Sequence, residues 1–193
     1  MDIIIFAIGI SKTNSFYNYL NSNSLSLFKI IKSLNIIKKD IPIIYFSSIR
    51  INILSYFSIS KKIAEFILKS YGRKKNTNIV IIRLSHVIGP NIKNIETSLT
   101  AKICYSLIKN KNYFLYDLNQ KLRLIDINSL SKITKDIVNN IEKYNGLISI
   151  IPDYVKTVEQ LENDIKNIFN NSNTTSADKN FINTIKKILN SYE

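Results

Sequence analysis

The chain has 193 residues, enough for one domain with a real core and too few for two full ones. Hydrophobic residues make up 45% and charged residues 21%, which excludes a disordered chain. The net charge of +13 would favour nucleic acid or an acidic membrane surface if the lysines clustered, but they are scattered among Ile and Asn, as in Asn35-Ile36-Ile37-Lys38-Lys39, and no specific nucleic-acid role is expected.

One cysteine, Cys104, excludes an internal disulfide, and one histidine, His86, leaves no cluster with metal-ligand spacing, so no metal is expected. Residues 1–10 are apolar but carry Asp2 instead of a basic leader and no small-residue cleavage site, which reads as a strand and not as a signal peptide. The longest apolar stretch, residues 41–59, is interrupted by Arg50 and Asn52; no membrane span and a cytoplasmic location are expected.

In chain order, Ile3-Ile4-Ile5-Phe6-Ala7-Ile8, closed by Gly9, reads as a strand buried on both faces of a parallel sheet. Leu25, Phe28, Ile31 and Leu34 have helical spacing, and residues 41–46, ending in Ser47-Ser48, form a second buried strand. Ile59, Ile63, Phe66, Ile67 and Tyr71 form the apolar stripe of a second helix, with Gly72 as its expected C-cap. Residues 78–84 give a third strand, and strand-helix alternation implies right-handed crossovers. Beyond it we expect a helix over 97–108, strands at 114–116 and 122–127, a helix over 129–144, and a strand at 147–151. A helix over 157–169 opening on Thr-Val-Glu-Gln, a polar linker over 170–178, and a helix over 181–192 complete the chain.

In an open parallel sheet the ligand site lies beyond the carboxyl ends of the strands. There, Ser47-Ser48 is followed by Ser60-Lys61 and Glu65, and by Arg83-Leu84-Ser85-His86-Val87-Ile88-Gly89-Pro90. These residues resemble the extended short-chain dehydrogenase/reductase family, also called the NAD-dependent epimerases/dehydratases, which act on nucleotide sugars. Residues 2–9, Asn23, residues 122–130 and Thr157-Val158-Glu159-Gln160-Leu161 extend the resemblance over nearly the whole chain. The short spacing after Ser48 and the segment 181–192 are most similar to the capsular-polysaccharide reductase that forms UDP-N-acetyl-L-fucosamine precursors.

The resemblance implies an α/β fold, a partial Rossmann-like parallel sheet lacking the N-terminal Gly-rich βαβ half, with a small α/β C-terminal substrate-side portion. Residues 1–171 would be a truncated NAD(P)-binding domain, and 172–193 a polar linker and C-terminal helix. It also implies NAD or NADP as cofactor, a UDP-sugar as substrate, and a second chain as a possible source of the missing half. Ser48 would position the substrate hydroxyl, Lys61 would assist the catalytic tyrosine and hold the cofactor together with Gly9, and Ser85 and His86 would contact substrate.

Several positions depart from the family pattern. The family's tyrosine lies four residues before its lysine, one turn along a helix face, and position 57 is Phe. Tyr56 lies about 140° away around a helix with ~100° per residue and is an unfavourable substitute. Phe6 and Ile8 add bulk beside the expected cofactor cleft, His86 replaces an Asn, and Asp126-Ile127 replaces an Asp-Asp pair. The four glycines, Gly9, Gly72, Gly89 and Gly146, form no GxGxxG turn. An inactive remnant or fragment is therefore expected, with a split enzyme or a partner-binding module as alternatives. Ser48 as a loop cap and Lys61 as one more solvated lysine are the structural readings of those two residues.

Overall fold

A computed structural model describes residues 2–92, 95–170 and 178–192. In chain order the elements are β1 (Ile4–Phe6), α1 (Phe16–Leu20), a π-helical turn (Asn21–Leu25), α2 (Ser26–Ile36), β2 (Ile43–Ser48), a 3-10 turn (Ile49–Asn52), α3 (Tyr56–Lys75) and β3 (Ile79–Leu84). They continue with β4 (His86–Ile88), a 3-10 turn (Ile95–Thr97), α4 (Leu99–Ile108), β5 (Lys121–Asp126), α5 (Ile127–Asn139), a 3-10 turn (Ile141–Lys143), β6 (Gly146–Ser149), β7 (Tyr154–Thr157), α6 (Val158–Phe169) and α7 (Lys179–Asn190).

The chain divides into two compact units, residues 1–84 with 133–151, and residues 85–132 with 152–193. In the first, β-branched runs build a four-stranded, wholly parallel sheet in the order β1-β2-β3-β6. One face of it packs Phe6, Ile43, Tyr45, Ile79 and Ile81 against Leu27, Ile31 and Leu34 of α2 and Ala64, Leu68 and Tyr71 of α3. The other face packs Ile44, Val80 and Ile82 against Ile137 and Ile141. This is the Rossmann-like α/β architecture anticipated from the sequence.

The second unit holds a three-stranded sheet in the order β4-β5-β7, with β4 and β5 parallel and β5 and β7 antiparallel. Its core joins Ile88, Leu122 and Leu124 to Leu161 and Ile165 of α6 and Phe181, Ile185 and Ile188 of α7. The capping box foreseen at Thr157 and Gln160 is present at the start of α6.

Five details differ from the sequence reading. Among the described residues β1 is an edge strand that pairs only with β2; Ile5 is 47% exposed and Ile8 lies exposed beyond the strand's end. Gly72 is inside α3; the cap is Asn76, in the left-handed conformation, whose N–H donates to the Gly72 carbonyl. Residues 114–116 form no strand, and Phe114 and Tyr116 are exposed. The buried face of α3 is Ser60, Lys61, Ala64, Glu65, Leu68 and Tyr71, while Phe66, placed on the expected apolar stripe, is 71% exposed. In α2 the buried positions are Leu27, Ile31 and Leu34, with Phe28 outside. Most of the linker expected over 170–178 lies outside the described residues.

Candidate active site

The carboxyl ends of β1, β2 and β3 carry the residues that the sequence singles out in the first unit. Ser55 caps α3 by accepting from the Ser58 N–H, which makes Tyr56 and Phe57 its first two helical residues. Tyr56 is exposed and its ring lies against Phe16, centroids 5.1 Å apart. Phe57 is half-buried, edge-on to Tyr19 with centroids 6.1 Å apart. Neither ring supplies a hydroxyl at position 57.

One turn on, Lys61 is only 7% exposed, far from the solvated lysine that composition alone would suggest. Its ammonium donates to the Phe46 carbonyl of β2 at 3.0 Å and lies 4.9 Å from the centroid of the buried Tyr45 ring. Burial lowers its pKa to about 8, against the pull of the Glu65 carboxylate, which favours the charged form. Burial, and then the Glu65 charge, push the Tyr45 hydroxyl up from its ordinary value.

Glu65 is the centre of a buried network. It accepts from both Nε and Nη2 of Arg83 at 3.0 and 2.9 Å and from the Ser47 hydroxyl at 2.6 Å. Burial works to raise its pKa, but the hydrogen bonds from Arg83 and Ser47 and the Arg83 charge outweigh it and hold the carboxyl below its usual range. Since Ser47 and Arg83 are partners across β2 and β3, this one carboxylate ties the Lys61 helix to two adjacent strand ends.

Ser48 ends β2 and caps the following 3-10 turn, accepting from the Arg50 N–H at 3.2 Å. Gly9 follows β1, and a Cβ there would lie 2.5 Å from Asn23 Oδ1 and 3.3 Å from Lys61 Nζ. Asn23 is fully buried; it accepts from the Ile10 N–H and donates to the Ile10 carbonyl and to Ser60 Oγ. The π-helical turn over Asn21–Leu25 faces it this way, a local distortion that the regular spacing of Leu25, Phe28 and Ile31 conceals.

Sequence reasoning quoted Ser47, Glu65 and Arg83 without joining them and gave Tyr45 no role; an acid four residues after a lysine, with an arginine in the next strand, is the signal for the network. In the second unit, Ser85 precedes β4, and His86 opens it as the register partner of Leu124. Asp126 accepts from the Asn128 N–H and from the Thr184 hydroxyl, which occupies it in fastening α5 and α7. Among the described residues no group of three His, Cys, Asp or Glu could hold a metal ion, and no helix is long and apolar enough to cross a membrane.

The parallel sheet β1-β2-β3-β6, covered by helices on both faces, is of the Rossmann-like α/β class. The model of the NAD dependent epimerase/dehydratase family matches residues 38–143, more than half of the chain, and the chain belongs to that family. No curated protein sequence matches it. Among solved structures it is similar to RMD from Pseudomonas aeruginosa complexed with NADPH, at 12% identity and TM-score 0.79, covering 100% of this chain and 82% of that one. UDP-glucuronic acid 4-epimerase from Bacillus cereus in complex with NAD is 15% identical with TM-score 0.82, covering 100% and 72%. The capsular polysaccharide assembling protein CapF from Staphylococcus aureus is 21% identical with TM-score 0.69, covering 86% of this chain and 46% of that chain.

The residues present do not fit a whole dinucleotide. Lys61, suited to a ribose hydroxyl, donates one of its N–H groups to Phe46 and lies over the Tyr45 ring. Pyrophosphate needs successive backbone N–H groups on a glycine-rich turn, and the four glycines stand apart from one another.

Proposed function

We propose that the chain is a remnant or fragment of an NAD(P)-dependent nucleotide-sugar reductase or epimerase of surface-polysaccharide biosynthesis, inactive on its own. On this reading residues 1–171 are the family domain and 172–193 a linker and C-terminal helix, and that helix packs Phe181, Ile185 and Ile188 into the core it shares with α6. The observation that carries the reading is Phe57: the position one turn before Lys61 has no proton to give or take, and its ring is packed against Tyr19. The UDP-sugar substrate and the capsular fucosamine branch rest on the family and on the likeness to CapF and to UDP-sugar epimerases. On this reading Ser48, Ser85 and His86 mark the substrate side, and Gly9 and Lys61 the cofactor side.

A second reading, an enzyme completed by another chain, is favoured by the unpaired edge of β1 and the exposed Ile5 on it. Calorimetry of the purified chain with NADH and NADPH, alone and with a candidate second polypeptide bearing a glycine-rich turn, separates the two. No heat in either case is the expected result. Binding only in the mixture would establish the split enzyme, and binding by the chain alone would overturn both readings.

A further inference from the structure

The lysines that stand scattered in the sequence gather in the fold. Basic residues are found all along the chain, but residues 26–75 hold eleven Lys and Arg against two acids, Asp40 and Glu65, and so carry +9 of the net +13. Of those acids, Glu65 is buried with Arg83 and Ser47, and Asp40 pairs with Lys75. α6 is the contrast, with Glu159, Glu162 and Asp164 against Lys166.

α2 and α3 pack on the same face of the parallel sheet, so the sides they leave outward form one layer. On α3 the outer stripe is Lys62, Phe66, Lys69 and Arg73, spaced at i+4 and i+3 and all exposed. On α2, Lys29, Lys32 and Ile36 follow the same rule and are exposed as well. None of these five cations has an ion-pair partner among the described residues. Between them stand large apolar groups in water, Ile36 at 72% and Phe66 at 71% exposure.

We propose that this layer docks on a bilayer surface rich in anionic phospholipid, with the cations at the level of the phosphates and Phe66 and Ile36 below the headgroups. Lysine stems lie along apolar surface while their ammonium groups stay in water, so cations and apolar side chains interleaved on one face enter an interface together. Charge complementarity selects the occupant. A second copy of this chain would set the same five cations against each other across a two-fold axis. Nucleic acid would use the cations, but Ile36 offers neither a ring to stack on a base nor a hydrogen bond to its edge. An acidic protein would need a matched hollow for each apolar side chain, which a fluid interface does not. The bilayer takes both kinds of group, and the 20 residues of α3 alone lay about 30 Å of helix along it. The inference is independent of both catalytic readings above.

The test is flotation of the full chain with vesicles of phosphatidylcholine alone and with about 30% phosphatidylglycerol, at about 100 mM salt. The chain should float only with the anionic vesicles. Each cation at such a surface strengthens partitioning roughly fivefold, so Lys62→Gln with Lys69→Gln should weaken it about 25-fold. The charge-matched pair Lys186→Gln with Lys187→Gln, exposed on α7, should leave it within about threefold. The chain has no tryptophan, so Phe66→Trp places a single reporter on the layer, and its emission should shift to the blue on anionic vesicles and be quenched by brominated acyl chains. Equal losses from the two double variants, or an unshifted emission, would overturn the proposal. So would displacement from the vesicles by a short DNA duplex or by poly-glutamate at equal charge concentration, or a lipid-free dimer that the Lys62 and Lys69 substitutions tighten.

Discussion

Lys61 contributes to stability with a sign fixed by its surroundings. Its folded pKa, about 8, lies below its ordinary value of 10.5, so between these limits the unfolded chain binds more protons than the folded one. Stability therefore rises with pH across that window, and below it the full cost of burying the ammonium is present. At about 1.4 kcal/mol per unit the relief approaches roughly 3 kcal/mol. Urea titrations of the chain and of Lys61→Met at pH 7 and pH 10 should show the stability gap moving by this order in favour of Lys61 at the higher pH. A gap that is flat with pH would place the amine in solvent.

Glu65 behaves oppositely. Its carboxyl is held below the usual range, so what it contributes is present above that range and is lost as pH falls through the depressed value. Arg83→Met leaves the carboxylate buried with only Ser47 as a side-chain hydrogen-bond partner, a change that costs about 3–5 kcal/mol for a buried pair. Arg83 is partly exposed, which puts the expected loss at the lower end of that range. Chemical denaturation at pH 7 measures it, and the acid limb of the stability curve should flatten in the same variant.

At the scale of elements, α3 shows what a sequence conceals. Its apolar residues at 59, 63, 66 and 67 have proper helical spacing, yet the face that meets the sheet is Ser60, Lys61, Ala64, Glu65 and Leu68. Hydrophobic period locates a core only where apolar groups have a monopoly on burial. Here Glu65 is buried because Arg83 and Ser47 satisfy it, and Ser60 because Asn23 and the Phe57 carbonyl do. The strands were easier to read, since unbroken Ile and Val runs such as 79–82 suit a sheet covered on both faces. Ser48 and Lys61 were singled out by the family resemblance of the segments that carry them; the Asn23 turn was not legible, because a π-helical insertion leaves no period of its own.

Gly72 gives the helix its own test. Alanine there gains up to about 1 kcal/mol of helix propensity. Against that, the new Cβ would stand 2.6 Å from Ile79 Cγ1 and 3.2 Å from the Thr77 carbonyl, in the tight reversal from α3 to β3. The clash belongs to a β-branched strand residue that is itself buried, so it wins, and overpacking of this kind costs about 1–3 kcal/mol. Gly72→Ala should lower the urea midpoint; an unchanged or raised midpoint would show that Ile79 turns aside freely.

For the molecule as a whole, charge is the property spread over every element. Twenty-seven Lys and Arg face fourteen Asp and Glu, and among the described residues ion pairs between exposed partners, such as Lys39 with Asp2, are worth little. The excess of +13 therefore acts as self-repulsion of the compact state. At about 10 mM salt the screening length is roughly 30 Å, comparable to a small domain, and at 150 mM it is roughly 8 Å, so most of the repulsion disappears between those conditions. The melting temperature should rise over this range, and sodium chloride and sodium bromide at equal ionic strength should give the same rise, since screening depends on ionic strength and not on the ion. A melting temperature that falls would mean that salt weakens attractive pairs more than it relieves repulsion, and would move the weight of the fold's electrostatics onto networks such as Glu65 with Arg83.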